Sequence, residues 1–130
     1  MTKHDHILHW KETAESNWQA AQGLFLTGQY LECLFFAHLV IEKLSKAHWV
    51  QDNADNYPPR THNILKLWSV TTLQTTPAQE LTATELNTFQ MEGRYQDYQR
   101  IASQRATQIF TRILLNDTEQ LRAWLLSKLP

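Results

Sequence analysis

Several side chains of this sequence have the chemistry needed to hold a phosphate group or a nucleotide base. Arginine can make two parallel hydrogen bonds to a phosphate, and tyrosine and histidine rings can stack on a base. We expect such a ligand site to be formed by residues from three segments of the chain: Lys43, Lys46, Arg60, His62, Arg94, Tyr95 and Asp97. The sequence alone does not say whether the fold brings these segments together.

The same residues also suit structural roles, and the sequence leaves both alternatives open. Asp97 would cap a helix or form an ion pair with Arg94 or Lys46. Tyr95 would pack against the second helix through its ring. Glu42 and Lys46 stand four residues apart, which is the spacing of an ion pair on the surface of a helix.

Charge is distributed unevenly along the chain. The 130 residues include twelve basic and thirteen acidic side chains, for a net charge of −1. Residues 43–79 carry a net charge of +2 (four basic, two acidic) and residues 93–112 carry +3 (four basic, one acidic). The near-neutral total excludes a general polyanion binder of the histone kind. It leaves open a local anion-binding patch, because the candidate residues lie in the two basic segments.

The remaining features of the composition indicate where the protein is located and which metals or cofactors it could bind. The single cysteine, Cys33, excludes an internal disulfide and a multi-cysteine zinc module. No stretch approaches the roughly twenty apolar residues of a membrane span. His6 and His9 lie one helical turn apart, but a metal site would need further ligands. We therefore expect one domain over residues 1–130, in the cytoplasm, with no membrane association, no metal and no cofactor.

Long helices dominate the predicted structure, because only three glycines and four prolines interrupt the chain. Apolar residues at steps of three and four predict a first helix from about Trp10 to Phe25, which ends before Gly28. A second helix over residues 30–50 has apolar side chains around much of its circumference. This width predicts a helix buried on two sides at the centre of a bundle.

Two short helices and a final long helix complete the expected fold. Thr61 would cap a third helix. Thr82 and Glu85 have the spacing of a capping box for a fourth helix, which would end near Gly93. The last helix would run over about residues 103–127, with five side chains facing inward: Ile109, Ile113, Leu114, Leu121 and Leu125. The predicted fold class is an all-α, up-and-down antiparallel bundle of four to five helices.

Some apolar side chains exceed what the interior of one small bundle needs. Trp18 lies between polar neighbours, and Phe35 and Phe36 widen the apolar coverage of the second helix. A homodimer would bury this surplus surface.

Four motifs, taken in order, resemble those of the HEPN family of small helical domains. The first helix ends near Gly28-Gln29-Tyr30, and the second carries Glu42-Lys43 and then Lys46-Ala47. Thr61-His62 comes before the third helix, and Gly93-Arg94-Tyr95-Gln96-Asp97 comes before the last one. The resemblance covers essentially the whole chain.

The resemblance implies a helical bundle that is commonly a homodimer and often works beside a small nucleotidyltransferase. Family functions range from nucleotide or RNA binding to metal-independent RNA cleavage. The catalytic branch has an arginine followed four to six residues later by a histidine, which together stabilise phosphate charge and move a proton. Here Arg60 precedes His62 by two positions, and no histidine follows Arg94. We therefore assign no catalytic residues.

From these features we predict a non-catalytic HEPN-like module that binds a nucleotide or a small nucleotidyltransferase partner, in a two-component system of the toxin–antitoxin type. RNA is a further ligand consistent with the resemblance. Two alternatives stay open. One is a metal-independent ribonuclease toxin whose non-standard site combines His62 with Arg60 or Arg94. The other is a structural dimerisation module that binds no ligand.

Overall fold

The protein is a bundle of α-helices, as the sequence predicts. A computed structural model describes residues 1–92 and 94–130, and within these residues the chain forms six α-helices and no β-strand. The helices are α1 (Lys3–Leu26), α2 (Tyr30–Asp52), α3 (Ile64–Trp68), α4 (Pro77–Asn87), α5 (Gln96–Arg105) and α6 (Gln108–Ser127). Among the described residues no helix is both long enough and apolar enough to cross a membrane.

Helices α1 and α2 form a hairpin whose ends follow from local sequence. Thr2 begins α1 with a capping box, in which its hydroxyl accepts a hydrogen bond from the Asp5 amide and the Asp5 carboxylate accepts one from the Thr2 amide. These hydrogen bonds lower the pKa of Asp5. At the other end Gly28 has a φ of +78°, which allows the Gln29 amide to donate to the Leu24 carbonyl and close the helix. Both predicted helices and the predicted stop are confirmed.

Helix α2 lies at the centre of the bundle and packs against α1, α3, α4 and α6. Five residues spaced at steps of three and four form a face that is buried throughout: Leu34, Ala37, Ile41, Leu44 and His48. Polar side chains on this helix are buried as well, and two of them have partners on other helices. His48 Nε2 donates to the Leu125 carbonyl on α6 at 2.8 Å, and Ser45 Oγ accepts from Trp68 Nε1 at 2.8 Å.

Three details of the central segment differ from the prediction. Asn63, rather than Thr61, caps α3 by accepting a hydrogen bond from the Lys66 amide. Thr76 and Gln79 form the capping box of α4, whereas Thr82 and Glu85 lie inside that helix. A proline at the first position of α4 marks this earlier start, because it needs no amide partner there. Helix α4 ends at Asn87, well before Gly93, which lies outside the described residues.

The C-terminal third contains a helix that the sequence analysis missed. Residues predicted as a loop form α5, and Thr107 then caps α6, which begins at Gln108 rather than near Ser103. The buried stripe of α6 is spaced at steps of three and four: Thr111, Leu114, Thr118, Leu121 and Leu125. Ile109 and Ile113 fall outside this stripe and are exposed, so the prediction that they face inward is wrong.

The aromatic residues also occupy different places from those expected. Trp18 is buried, with the Arg122 guanidinium 5.3 Å from its ring centroid, so it contributes no surplus surface. Phe35 and Phe36 are half-buried. Among the exposed large apolar side chains, four lie on the last three helices: Leu81 on α4, Ile101 on α5, and Ile109 and Ile113 on α6.

Candidate functional site

A buried carboxylate on α2 organises the polar site of this protein. Glu42 is 3% exposed, and its two oxygens accept hydrogen bonds from Lys46 Nζ at 3.0 Å and His62 Nδ1 at 2.8 Å. Lys46 is itself buried, and its ammonium lies 5.4 Å from the ring centroid of Trp10. The Glu42–Lys46 pair is therefore internal, whereas the sequence predicted a surface pair.

His62 lies between two carboxylates. Its Nε2 is 3.1 Å from Glu92 Oε2, while its Nδ1 contacts Glu42 on the opposite side of the ring. Each ring nitrogen of His62 therefore has a carboxylate oxygen within hydrogen-bond distance. The loop before α3 and the segment after α4 are thereby connected to the centre of α2.

His38 contacts the backbone of His62 from the buried side of α2. It is fully buried one turn before Glu42, and its Nε2 donates to the His62 carbonyl at 2.8 Å. Its Nδ1 has no hydrogen-bond partner among the described residues and lies 3.8 Å from Glu42 Oε1. Burial lowers the pKa of His38, although the charge of Glu42 opposes this effect. We interpret His38 as a neutral, positioning side chain that fixes the backbone of His62.

Asn87, the last residue of α4, joins the same network. Its Oδ1 accepts from the Ile64 amide at 3.2 Å and lies 3.2 Å from His38 Nε2. Its Nδ2 donates to Asn63 Oδ1 at 3.0 Å. Since Asn63 also caps α3, this pair fixes where α3 and α4 meet.

A small cleft of about 160 Å³ opens above this network, lined by His62, Asn63, Asn87, Gln90 and Arg94. Gln90 is 4% exposed, and its Nε2 has no hydrogen-bond partner in the described part of the chain. The Arg94 guanidinium lies 4.5 Å from the ring centroid of Tyr98, whose hydroxyl donates to the Thr88 carbonyl at 2.8 Å. Two hydrogen-bond donors therefore border this cleft. One is the Arg94 guanidinium, which stacks near the Tyr98 ring, and the other is the buried Nε2 of Gln90.

The structure brings only some of the seven candidate residues together. His62 and Arg94 line the cleft, and Lys46 connects to it through Glu42. Lys43 is half-buried next to Glu42 in sequence, and burial lowers its pKa. Arg60 is exposed in the loop before α3 and does not line the cleft.

The segment before α5 departs from its predicted packing. Tyr95 is 87% exposed, so it does not pack against α2. Tyr98, one turn further along, is the half-buried tyrosine of this segment, and its hydroxyl donates to the Thr88 carbonyl after α4. Asp97 is exposed in the first turn of α5, where its charge faces the positive end of the helix dipole. No ion pair joins it to Arg94 or Lys46 among the described residues.

Sequence reasoning missed four members of the site: His38, Glu42, Asn87 and Gln90. The first two stand four residues apart on α2, and two polar groups on an otherwise apolar helix face signal a buried pair. Asn87 and Gln90 carry no such signal, because their roles depend on where α4 ends and on what lies across from it. Among the described residues no group of three or more metal-binding side chains lies close enough to hold an ion.

Comparison with known proteins identifies the fold. The family model described as HEPN domain matches residues 7–129, which is nearly the whole chain. The structure is similar to the crystal structure of TT1696 from Thermus thermophilus, with a TM-score of 0.78 and 22% sequence identity. The similarity covers 95% of this chain and 98% of that one. No match was found among curated proteins. The chain belongs to the HEPN domain family.

Proposed function

We propose that this HEPN-family protein is a non-catalytic module that binds a small nucleotidyltransferase through an apolar face of α4 and α6. The observation that carries the proposal is the exposure of Leu81 on α4 and of Ile109 and Ile113 on α6. We call these three residues the α4–α6 face. Contiguous exposed apolar surface with a polar rim marks a protein-binding site.

Leu81 and Ile113 of the α4–α6 face line a groove that a partner side chain can enter, and Ile109 lies one turn before Ile113 on α6. The groove has a volume of about 440 Å³, and Phe110, Leu114 and Leu121 form much of its floor. Glu85 and Asp117 lie on its rim. Glu85 is paired with Arg105, whereas Asp117 has no such pair among the described residues. A complementary partner surface therefore has apolar side chains at its centre and a basic side chain opposite Asp117.

The histidines support a non-catalytic role. His38 and His48 are buried, where they cannot reach an RNA backbone. Both nitrogens of His62 contact carboxylates, so a substrate that used this side chain would first have to displace the exposed Glu92 from Nε2. His6 and His9 border a separate cleft near the start of α1, and no arginine is among its described lining residues.

The ribonuclease alternative has one observation in its favour, because His62 and Arg94 line the same cleft. Purified protein incubated with a structured RNA distinguishes the two functions. Our proposal predicts no cleavage beyond that of His62→Ala protein. Cleavage by the natural protein that His62→Ala abolishes would show that the protein is a ribonuclease.

Partner binding is tested by co-expressing this chain with any small nucleotidyltransferase that a neighbouring gene encodes and purifying one of the two by an affinity tag. The proposal predicts that the two proteins co-purify, as in a two-component system of the toxin–antitoxin type. Separate elution at micromolar concentrations would contradict it. Light scattering on the isolated chain tests the homodimer prediction independently, since a dimer has twice the monomer mass of 15.3 kDa.

A further inference from the structure

We propose that the groove between α1 and α6 binds an amphipathic helix of a partner protein. The groove has a volume of about 370 Å³; residues between 18 and 26 of α1 form one wall, and residues between 112 and 119 of α6 form the other. No residue lines both this groove and the groove of the α4–α6 face. The proposal is therefore independent of the nucleotidyltransferase complex.

The groove exists because α1 and α6 share a neighbour. Both helices pack against α2, and in the described part of the chain they pack much less closely against each other. A side chain of α6 crosses the space instead, since Arg122 pairs with Glu15 and its guanidinium lies 5.3 Å from the ring centroid of Trp18. This ion pair bounds one end of the groove, one turn before Trp18 on α1.

Apolar side chains line much of the groove. Phe25 and Leu115 are half-buried, and Leu26 is 84% exposed at the end of α1. These side chains come from both helices, so one occupant that lies along the groove covers all three. Removing their remaining apolar surface from water favours binding.

Two charged side chains of α6 border the same groove. The Arg112 guanidinium lies 5.6 Å from the ring centroid of Phe25, and no carboxylate of the described residues pairs with it. Glu119 also has no ion pair within the described chain, and it stands two turns, or about 10 Å, further along α6. A complementary occupant presents an acidic and a basic side chain at the same separation, with apolar side chains between them.

Backbone hydrogen bonding favours a helix over an extended peptide as the occupant. Both walls are α-helical along the whole groove, so their backbone groups are already paired within each helix. An extended peptide finds no sheet edge to pair with there, whereas a helix pairs its own backbone groups internally. The expected segment has an acidic residue at position i, apolar residues at i+3 and i+4, and a basic residue at i+7.

Two designed peptides test this pattern by isothermal titration of the full chain. Each is an alanine-based helix of about sixteen residues with leucine at i+3 and i+4. The mixed peptide has glutamate at i and arginine at i+7, whereas the basic peptide has arginine at both positions. We expect the mixed peptide to bind the natural chain with a dissociation constant on the order of 100 μM, and the basic peptide to bind at least about fivefold more weakly.

Charge reversal in the chain locates the bound peptide. Arg112→Glu should reverse the preference, because the groove then presents two acidic side chains to the two arginines of the basic peptide. Arg100→Glu makes the same change at an exposed position of α5 outside the groove, and it should leave the preference for the mixed peptide unchanged. Leu26→Ser should weaken the binding of both peptides about threefold, since it removes exposed apolar surface.

Three results would overturn the proposal. The first is that neither peptide binds the natural chain, or that both bind it equally. The second is that Arg112→Glu keeps the preference of the natural chain. The third is a dimer of the natural chain in light scattering that Leu26→Ser converts to a monomer, because a second copy of this chain would then cover the groove.

Discussion

Replacing Glu42 with glutamine tests whether the buried carboxylate holds the site together. Glu42 accepts hydrogen bonds from Lys46 Nζ at 3.0 Å and His62 Nδ1 at 2.8 Å, and the Glu42 and Lys46 side chains are both buried. Glutamine keeps the shape and one acceptor oxygen but removes the charge. The ammonium of Lys46 then stays buried without a counter-charge.

The expected cost follows from this geometry. Removing one member of a buried ion pair costs about 3–5 kcal/mol, because the other charge remains desolvated. We expect about 3 kcal/mol for Glu42→Gln, since the glutamine oxygen still accepts a hydrogen bond and the Trp10 ring still lies 5.4 Å from the Lys46 ammonium. For a domain of this size the loss corresponds to a fall in Tm of about 12 °C.

Urea denaturation followed by far-UV circular dichroism measures this loss. Glu85→Gln is the matched control, because Glu85 pairs with Arg105 at 2.7 Å on the surface. An exposed pair contributes about 1 kcal/mol or less. Glu42→Gln combined with Lys46→Met should recover part of the lost stability, since no buried charge then lacks a partner. Equal losses for Glu42→Gln and Glu85→Gln would refute the reasoning.

Three further predictions concern other groups. Burial lowers the pKa of His48 and of His38 from 6.5, so the unfolded chain binds more protons below that pH and stability should fall between about pH 7 and about pH 5. Thermal melts of His48→Gln, which keeps a donor for the Leu125 carbonyl, should show a smaller fall, and an unchanged one would count against this origin. Cys33 is fully buried, and burial raises its pKa to about 11. A thiol reagent at about pH 8 should therefore label it only after unfolding. Rapid labelling of the folded protein would be inconsistent with that burial. Gly28→Ala should cost about 1 kcal/mol because φ is +78°, whereas Gly23→Ala, inside α1 with free space around it, should stabilise by about 0.5 kcal/mol. Equal effects of the two alanines in chemical denaturation would contradict the strain argument.

The long helices could be predicted because their determinants are local. The steps of three and four from Trp10 to Phe25 and the glycine at position 28 define α1 without reference to the rest of the chain. Helix α2 could be predicted for a similar reason. Apolar side chains cover much of its circumference, and burying them requires neighbouring elements on several sides. Such features depend on residues close in sequence, which a single sequence displays directly.

Which side chains of α6 face the core could not be predicted as well from the sequence. Thr111 and Thr118 are buried there, and the hydroxyl of Thr118 donates to the Leu114 carbonyl one turn earlier. A buried threonine that satisfies its hydroxyl within its own helix looks polar in the sequence but packs like valine. Ile109 and Ile113, which are apolar in the sequence, were assigned to the core although they lie outside the buried stripe.

The site was predicted in part. His62 and Arg94 were identified from residue type and family resemblance, and they do line one cleft. The carboxylate that positions His62 comes from α2, twenty residues away in sequence, and the unpaired donor comes from Gln90 after α4. These contacts depend on how α2, α3 and α4 pack, which periodicity within one segment does not report.

The central claim is that the α4–α6 face binds a small nucleotidyltransferase, and the dissociation constant of that complex tests it most directly. Isothermal titration should compare the natural chain with Ile113→Lys, which places a charge on a side chain that is 58% exposed on the face. Ala123→Lys adds the same charge to an exposed position of α6 outside the groove. We predict that Ile113→Lys weakens binding at least about tenfold and that Ala123→Lys changes it less than about twofold. Equal affinities for Ile113→Lys and the natural chain, or no binding by the natural chain, would contradict the claim.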